Sequence, residues 1–208
     1  MGFYSKHIFP RFLDWSLGNA TLAEQRLVAL ASLRGHVLEI GFGTGLNLPF
    51  FPRQVTSLTA IDSKQMLPKK VAKRIARARM PVESFQLDAS GRLPVDNQVF
   101  DGVLTTFTLC SIADVRSALK ETRRVLKPEG LYVFLEHGRS DDKRVARCQD
   151  FFNPLQKVIG CGCNLNRKID DLIRESGFEI VKLERWRMPD VPRILGETYR
   201  GIARRSAE

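Results

Sequence analysis

Apolar positions along the chain follow two alternating rhythms. Val37-Leu38-Glu39-Ile40, Ser57–Ile61, Glu83–Leu87, Gly102–Thr106 and Leu131–Leu135 are short, apolar-rich runs, as expected of strands buried in a sheet. Between them apolar residues recur every three or four places, as on one face of a helix. Residues 64–79 place Leu67, Val71, Ile75 and Ala78 on one side, and residues 114–126 do the same with Val115, Ala118, Leu119, Thr122 and Val125. Pro128 and Gly130 mark that second helix's end. Residues 141–160 read as helical, and 167–176 as a helix with Ile169, Leu172 and Ile173 inward and Gly177 as its stop. Runs at 179–187 and 199–204 follow with no convincing helix between them. So short a connection predicts an antiparallel pair, because a parallel crossover needs a dozen or more residues. Upstream, Ile8, Phe12 and Trp15 recur at helical spacing around Pro10, which predicts a turn or kink. A helix over 21–33 would turn Leu22, Leu27, Leu30 and Leu33 inward. Alternating strands and helices mean a mostly parallel α/β sheet covered on both faces, with ligands bound beyond the C-terminal strand ends.

Length divides this pattern simply. The 208 residues, 43% of them hydrophobic, suit one domain over 35–208 with an N-terminal helical cap or lid over 1–34. No apolar run reaches bilayer length, and the first 19 residues lack the regions of a secretory signal. A cytoplasmic protein is expected. Cys110, Cys148, Cys161 and Cys163 are too few and irregular for a disulfide framework. Cys161-Gly-Cys163 lacks the wider pairs of a zinc site, so reduced thiols and no metal are expected. The net charge of +10 is concentrated between Lys64 and Arg79, where seven cations meet no acid. Such a face is either simply solvated or a binder of lipid or nucleic-acid phosphates.

Four segments carry candidate chemistry. In VLEIGFGTG, residues 37–45, a strand runs straight into Gly41, Gly43 and Gly45. Glycine permits positive φ and close backbone approach to a ligand, and a helix starting there would offer free amide donors. A dinucleotide fingerprint is spaced G-x-G-x-x-G. Here the third glycine comes one place early and Leu46 takes its site, which counts against a dinucleotide enzyme. Asp62 closes the second strand, 21 residues after Gly41. A carboxylate there suits a ribose diol, with the N-cap of the basic helix as the alternative role. Asp88-Ala89 follows the third strand, placed to accept an adenine amino proton. Leu93–Asp101 leads into Thr105-Thr106-Phe107, expected as the floor at the ligand's far end.

Together these segments resemble the class I S-adenosylmethionine-dependent methyltransferases, of the type that includes the ubiquinone and menaquinone methyltransferases, over about residues 36–184. The resemblance implies S-adenosylmethionine as cofactor. It also implies a Rossmann-like seven-stranded sheet of order 3-2-1-4-5-7-6 with the last strand antiparallel. In that frame Glu39 positions the methionine amino group, and backbone atoms of Gly41, Phe42, Gly43 and Gly45 cradle the ligand. Asp62 takes the ribose with Ser63 and Met66 beside it, Asp88 and Ala89 take the adenine, and Thr106 and Phe107 lie at the methionine end. Phe107–Ile112, Phe134–Gly138 and Gly162–Arg167 further resemble segments of the membrane-associated thiol methyltransferases. That group's apolar N-terminal anchor is replaced here by the aromatic segment 3–17.

Acceptor-side candidates are fewer. His137 follows the fifth strand and is the candidate base or substrate-positioning donor. His7, Cys110, Asn164 and Arg167 are candidate pocket residues, and His36, ahead of the first strand, has no expected role. A small-molecule acceptor, such as a thiol, is the leading expectation. A phospholipid or quinone methylated at an anionic membrane surface is the alternative, with the protein then peripheral to that membrane. Thr105-Thr106-Phe107-Thr108 lacks the Asn/Asp-Pro-Pro-aromatic pattern of many amino-base methyltransferases, which argues against nucleic acid. A non-enzymatic cofactor-binding protein is the remaining reading.

Overall fold

The computed structural model describes residues 2–189 and 191–206. A π-helical turn at Tyr4–Ile8 leads into α1 (Phe9–Ser16) and α2 (Ala20–Leu30). There follow β1 (Gly35–Ile40), β2 (Val55–Asp62), α3 (Pro68–Ile75), β3 (Val82–Gln86), β4 (Phe100–Thr106), α4 (Val115–Val125) and β5 (Leu126–His137). The chain ends with α5 (Lys143–Ile159), α6 (Ile169–Glu175), β6 (Phe178–Arg187) and β7 (Glu197–Arg205). The sheet runs β3-β2-β1-β4-β5-β7-β6, as expected. Its first five strands pair in parallel, and β7 is antiparallel to both neighbours.

Alternation along the central strands splits the core in two. Leu38, Ile40, Val103, Tyr132 and Phe134 pack on one face with Leu119 of α4 and Ile173 of α6. Val37, Leu104, Val133 and Leu135 pack on the other with Leu30 of α2 and Leu33. Successive strand residues point to opposite faces, so helices must cover both.

Several local expectations are corrected. Helix α3 starts at Pro68, not residue 64, because Leu67 takes a left-handed φ of 44° and the proline occupies the first turn, where no N–H is needed. Leu27 is 59% exposed, since α2 buries Arg26 in its place. Ile8, Phe12 and Trp15 face outward, while Pro10 and Asp14 are buried. No α-helix follows Gly45, only a single 3-10 turn at Leu48–Phe50. Residues 93–97 are clamped to α4 by Arg124, which donates to the carbonyls of Leu93 and Val95. They lead into the start of β4, so Leu93–Val95 belongs to that end of the sheet and Thr106 to the other.

The N-terminal helices are tied to the sheet's ligand-binding edge. Asp14 pairs with Lys70 and with Arg74, the latter at 2.5 Å. Arg74 also donates to the Thr44 carbonyl at 2.7 Å, which links α1 and α3 to the glycine turn. Tyr4 Oη donates to the Ile159 carbonyl at 2.9 Å, which sets the first turn against the end of α5.

Candidate active site

The glycine turn is a backbone surface held open by its neighbours. Gly41 has φ 80°, and a Cβ there would collide with the Thr108 side chain. Gly43 has φ 56°, and a Cβ there would find only the Gly41 carbonyl oxygen, 3.9 Å away. Its backbone therefore borders free space. Four of the turn's amides are already engaged. Gly41 and Phe42 donate to the Ile61 carbonyl at 2.8 and 3.1 Å, and Gly45 donates to Phe42 at 2.9 Å. Gly43 donates to Asp62 Oδ2 at 2.8 Å. These four amides are taken by the turn, β2 and Asp62, and at Gly43 the backbone gives a ligand close access. The Phe42 side chain is core, packed beneath the turn.

Acidic groups supply the missing polarity. Asp62 Oδ1 accepts the Lys64 amide at 2.9 Å. Each Asp62 oxygen thus holds one amide and keeps a lone pair for another donor. Burial raises its carboxyl above the usual range, against the pull of the Lys64 and Gly43 amides. It does not cap α3, which begins six residues later. Glu39 is 1% exposed. Its Oε1 accepts Asn47 Nδ2 at 2.7 Å, and among the described residues its Oε2 has no partner. Burial pushes this carboxyl up to about 8, although the Asn47 hydrogen bond and the Arg26 charge oppose the rise. An orphaned buried carboxylate oxygen is costly unless something completes it, and an α-ammonium group is a suitable partner. The residues present therefore fit the adenosyl amino acid that the sequence implies.

Two contributors escaped the sequence reading. Asn47 Nδ2 also donates to Thr106 Oγ1 at 2.7 Å, and Arg26 Nε donates to Asn47 Oδ1 at 3.0 Å. Arg26 sits at i+4 from Leu22 and i−4 from Leu30; a cation on an apolar helix face was the signal available. Around the rim, Asp88 is exposed with Oδ1 on the Ser90 amide at 2.9 Å, and Ala89 beside it is buried. Ser63 is exposed and Met66 half-buried. Phe107 turns the chain with φ 51° and lies 6.0 Å beneath the Arg26 guanidinium.

On the acceptor side, the loop after β4 is stitched to the ends of β5 and α5. Glu136 Oε2 accepts the Thr108 and Leu109 amides at 2.8 and 3.2 Å. Asn164 donates to the Cys110 carbonyl through Nδ2 at 2.8 Å and its amide at 2.9 Å. Arg167 donates to the carbonyls of Leu109 and of Ile112, the latter at 2.8 Å. Asn164 and Arg167 thus hold the loop in place. His137 Nε2 lies 3.0 Å from Cys163 Sγ. Ligand atoms of Cys110, His137 and Cys163 all fall within 4.8 Å of one another. Donation of the Cys163 S–H to Cys110, added to burial, raises the Cys163 thiol. Burial works against a charged His137, but Cys163 and Glu136 raise it overall. His7 stacks on Phe3 with centroids 4.9 Å apart, and among the described residues no hydrogen bond joins it to His137. His36 bonds Thr59 Oγ1 at 2.9 Å and its amide donates to Asp101, at the far end of the strands.

Comparisons with known proteins agree with this geometry. Residues 38–134 match the family model of the methyltransferase domain. The chain is 32% identical over 173 residues to the thiol S-methyltransferase TMT1B of Rattus norvegicus, covering 79% of this chain and 70% of that one. It is 31% identical over 186 residues to the thiol S-methyltransferase TMT1B of Homo sapiens, covering 82% and 72%. A candidate methyltransferase from Bacillus halodurans superposes with a TM-score of 0.71 at 19% identity, covering 88% of this chain and 98% of that one, a likeness of fold alone. With the glycine turn, the two acids and the sheet order in place, the chain belongs to the class I S-adenosylmethionine-dependent methyltransferases, and S-adenosylmethionine is its cofactor.

Proposed function

We propose that this enzyme methylates the sulfur of a small-molecule thiol. The observation that carries the reading is the 32% identity to a thiol S-methyltransferase across 79% of the chain, a span that includes loops with no part in the sheet. When bound, S-adenosylmethionine supplies an electrophilic methyl group on a sulfonium, already a good leaving group. The protein's work is then mainly to position acceptor and donor at near-attack distance. Glu39 Oε2 receives the ammonium group, Asp62 accepts from the ribose hydroxyls, and Asp88 with Ala89 borders the adenine. Thr106 and Phe107 lie where the reactive end emerges, beside the loop that carries Cys110. His137 is the acceptor-side residue. A thiol suits this site, because its thiolate is the nucleophile and is accessible near neutral pH without a strong base. On this reading the N-terminal helical segment, from residue 2 to 34, serves as a cap over the mouth.

Turnover of labelled methyl donor against small thiols, amines, quinones and phospholipids tests the proposal. Thiols should be methylated fastest. Transfer to a quinone or phospholipid with none to thiols would overturn it.

A second reading, work at an anionic membrane surface on the cytoplasmic side, is favoured by one feature. Phe3, Trp15, Phe151 and Val158 are each more than 70% exposed, and the Tyr4–Ile159 hydrogen bond ties the turn next to Phe3 to the end of α5, the helix that carries Phe151 and Val158. Among the described residues no helix is long and apolar enough to cross a membrane, so the contact would be peripheral.

A further inference from the structure

Cys110, His137 and Cys163 come from three separate segments: the loop after β4, the last residue of β5, and the turn after α5. Their convergence within 4.8 Å has a geometric meaning. In tetrahedral zinc sites Zn–S is about 2.3 Å and Zn–N about 2.0–2.1 Å, which places neighbouring ligand atoms roughly 3.3–3.8 Å apart. His137 Nε2 and Cys163 Sγ at 3.0 Å lie slightly inside that spacing, and the cluster's outer limit of 4.8 Å lies about 1 Å beyond it. Small side-chain shifts replace the thiol–imidazole hydrogen bond with a shared ion.

The surroundings are built to hold these ligands. Asn164, Arg167 and Glu136 fix the Cys110 loop through six hydrogen bonds to its backbone. Cys163 is delivered by a turn in which Cys161 has φ 50° and Gly162 φ 110°, a conformation disfavoured for the cysteine and kept by its context. Cys110 is 2% exposed, while His137 and Cys163 are half-buried, so the cluster is closed on one side and accessible on another. Two thiolates and one imidazole with a free fourth position is a donor set of catalytic rather than structural zinc. Soft sulfur donors also select soft ions. Arg167 is near enough to interact electrostatically with both cysteines. A divalent ion with two cysteine thiolates is neutral, and a third thiolate leaves one negative charge for the guanidinium to balance.

We infer that Cys110, His137 and Cys163 bind a zinc ion whose fourth position takes the acceptor thiol as its thiolate. The inference rests on the thiol reading above and gives that reading its acceptor site. The incoming thiol displaces a metal-bound water and releases its proton to solvent. Its sulfur then forms a bond to the methyl carbon while the carbon–sulfonium bond breaks and its electron pair stays on the cofactor sulfur. The methyl thioether is a weak ligand and gives way to water. Thiol and sulfonium donor become methyl thioether, neutral cofactor thioether and one proton. His137 is then a ligand through Nε2, and the metal replaces a general base.

The test is metal binding by the purified, reduced full chain. Zn2+ is titrated against a chromophoric chelator, and Co2+ is used as a spectroscopic substitute. Wild type should bind one equivalent, and the Co2+ form should show thiolate-to-metal charge transfer and tetrahedral ligand-field bands. Cys148→Ser, at an exposed cysteine, should match wild type. Cys163→Ser and His137→Gln should weaken binding by more than the 10–100-fold typical of losing an outer partner, while folding and cofactor affinity persist. Wild type that binds no Zn2+, binding that both variants retain, or a Cys110–Cys163 disulfide formed in its place would each overturn the site. Full thiol turnover after metal stripping would overturn it and leave the thiol reading standing. Metal bound by these ligands, with no thiol methylated, would sink the thiol reading and with it the acceptor role of the fourth position, and leave the metal ligands standing.

Discussion

Glu39 shows how one buried atom links the cofactor to solvent protons. Its carboxyl, raised to about 8, is largely protonated at neutral pH in the free protein. A cofactor ammonium beside Oε2 favours the ionised form, so binding should expel a proton. Calorimetry at pH 7 in two buffers of different ionisation enthalpy should therefore report release approaching one proton. Glu39→Gln should abolish the release and weaken binding about tenfold or more, the scale of a lost charged hydrogen bond. The same shift acts on stability. Between the unfolded value near 4.5 and the folded value near 8, the folded state holds the extra proton. The unliganded protein thus loses stability as pH rises through that window, by at most about 1.4 kcal/mol per pH unit. Asp62, also raised, adds in the same direction, and melts of Glu39→Gln from pH 5 to 8 should show a shallower decline. Asp62→Ala should separately lower cofactor affinity at least about tenfold. Unchanged binding by calorimetry would remove Asp62 from the ribose site.

Elements were legible in the sequence where burial alone sets the pattern. The strands and α4 follow from apolar periodicity, and the reversed β6–β7 pair from the short link between them. Elements placed by a partner elsewhere in the chain were not. Ile8, Phe12 and Trp15 recur at helical spacing, but that spacing does not say which face is inward; Pro10 and Asp14 are the buried pair, because Lys70 and Arg74, one turn apart on α3, offer Asp14 two cations. Likewise Cys110, His137 and Cys163 are 27 and 26 residues apart and meet only through the topology, which local cysteine spacing does not reveal. Helix α1 should be held mainly by Asp14. Its carboxyl is buried, which alone would raise it, but Arg74 and Lys70 bring it down to about 2. A depressed carboxyl stabilises above its unfolded value near 3.8, and that stabilisation fades as pH falls through about 2. With Lys70 half in solvent, the latch is worth about 1–2 kcal/mol. Asp14→Asn should lower stability by that amount at pH 7 and speed hydrogen exchange over residues 3–17. Unchanged exchange there would show that the aromatic segment is held by other contacts.

At the scale of the whole molecule, charge and exposed apolar surface coincide. The net charge is +10. On α3, Lys70 and Arg74 are engaged by Asp14, while Lys69 and Lys73, with Arg77 in the turn beyond the helix, are exposed at a spacing of four residues. The Asp14 latch sets these cations beside α1, where Phe12 and Trp15 are 54% and 76% exposed. Cations next to aromatic side chains suit an anionic bilayer surface, where each cation contributes about 1 kcal/mol and the attraction fades within a Debye length of about 10 Å at 0.1 M salt. The chain should cosediment with vesicles containing phosphatidylserine at low salt and release from them as salt rises. Lys69→Glu with Lys73→Glu should cut that binding at least about tenfold. Phe12→Ser with Trp15→Ser should leave a weaker association that salt abolishes completely. Neither pair belongs to the cofactor cradle or the Cys110 cluster, so turnover of a water-soluble thiol should be unchanged in both. Equal binding to neutral vesicles, or none to anionic ones, would make these cations a solvated surface and leave the exposed aromatics to some other contact.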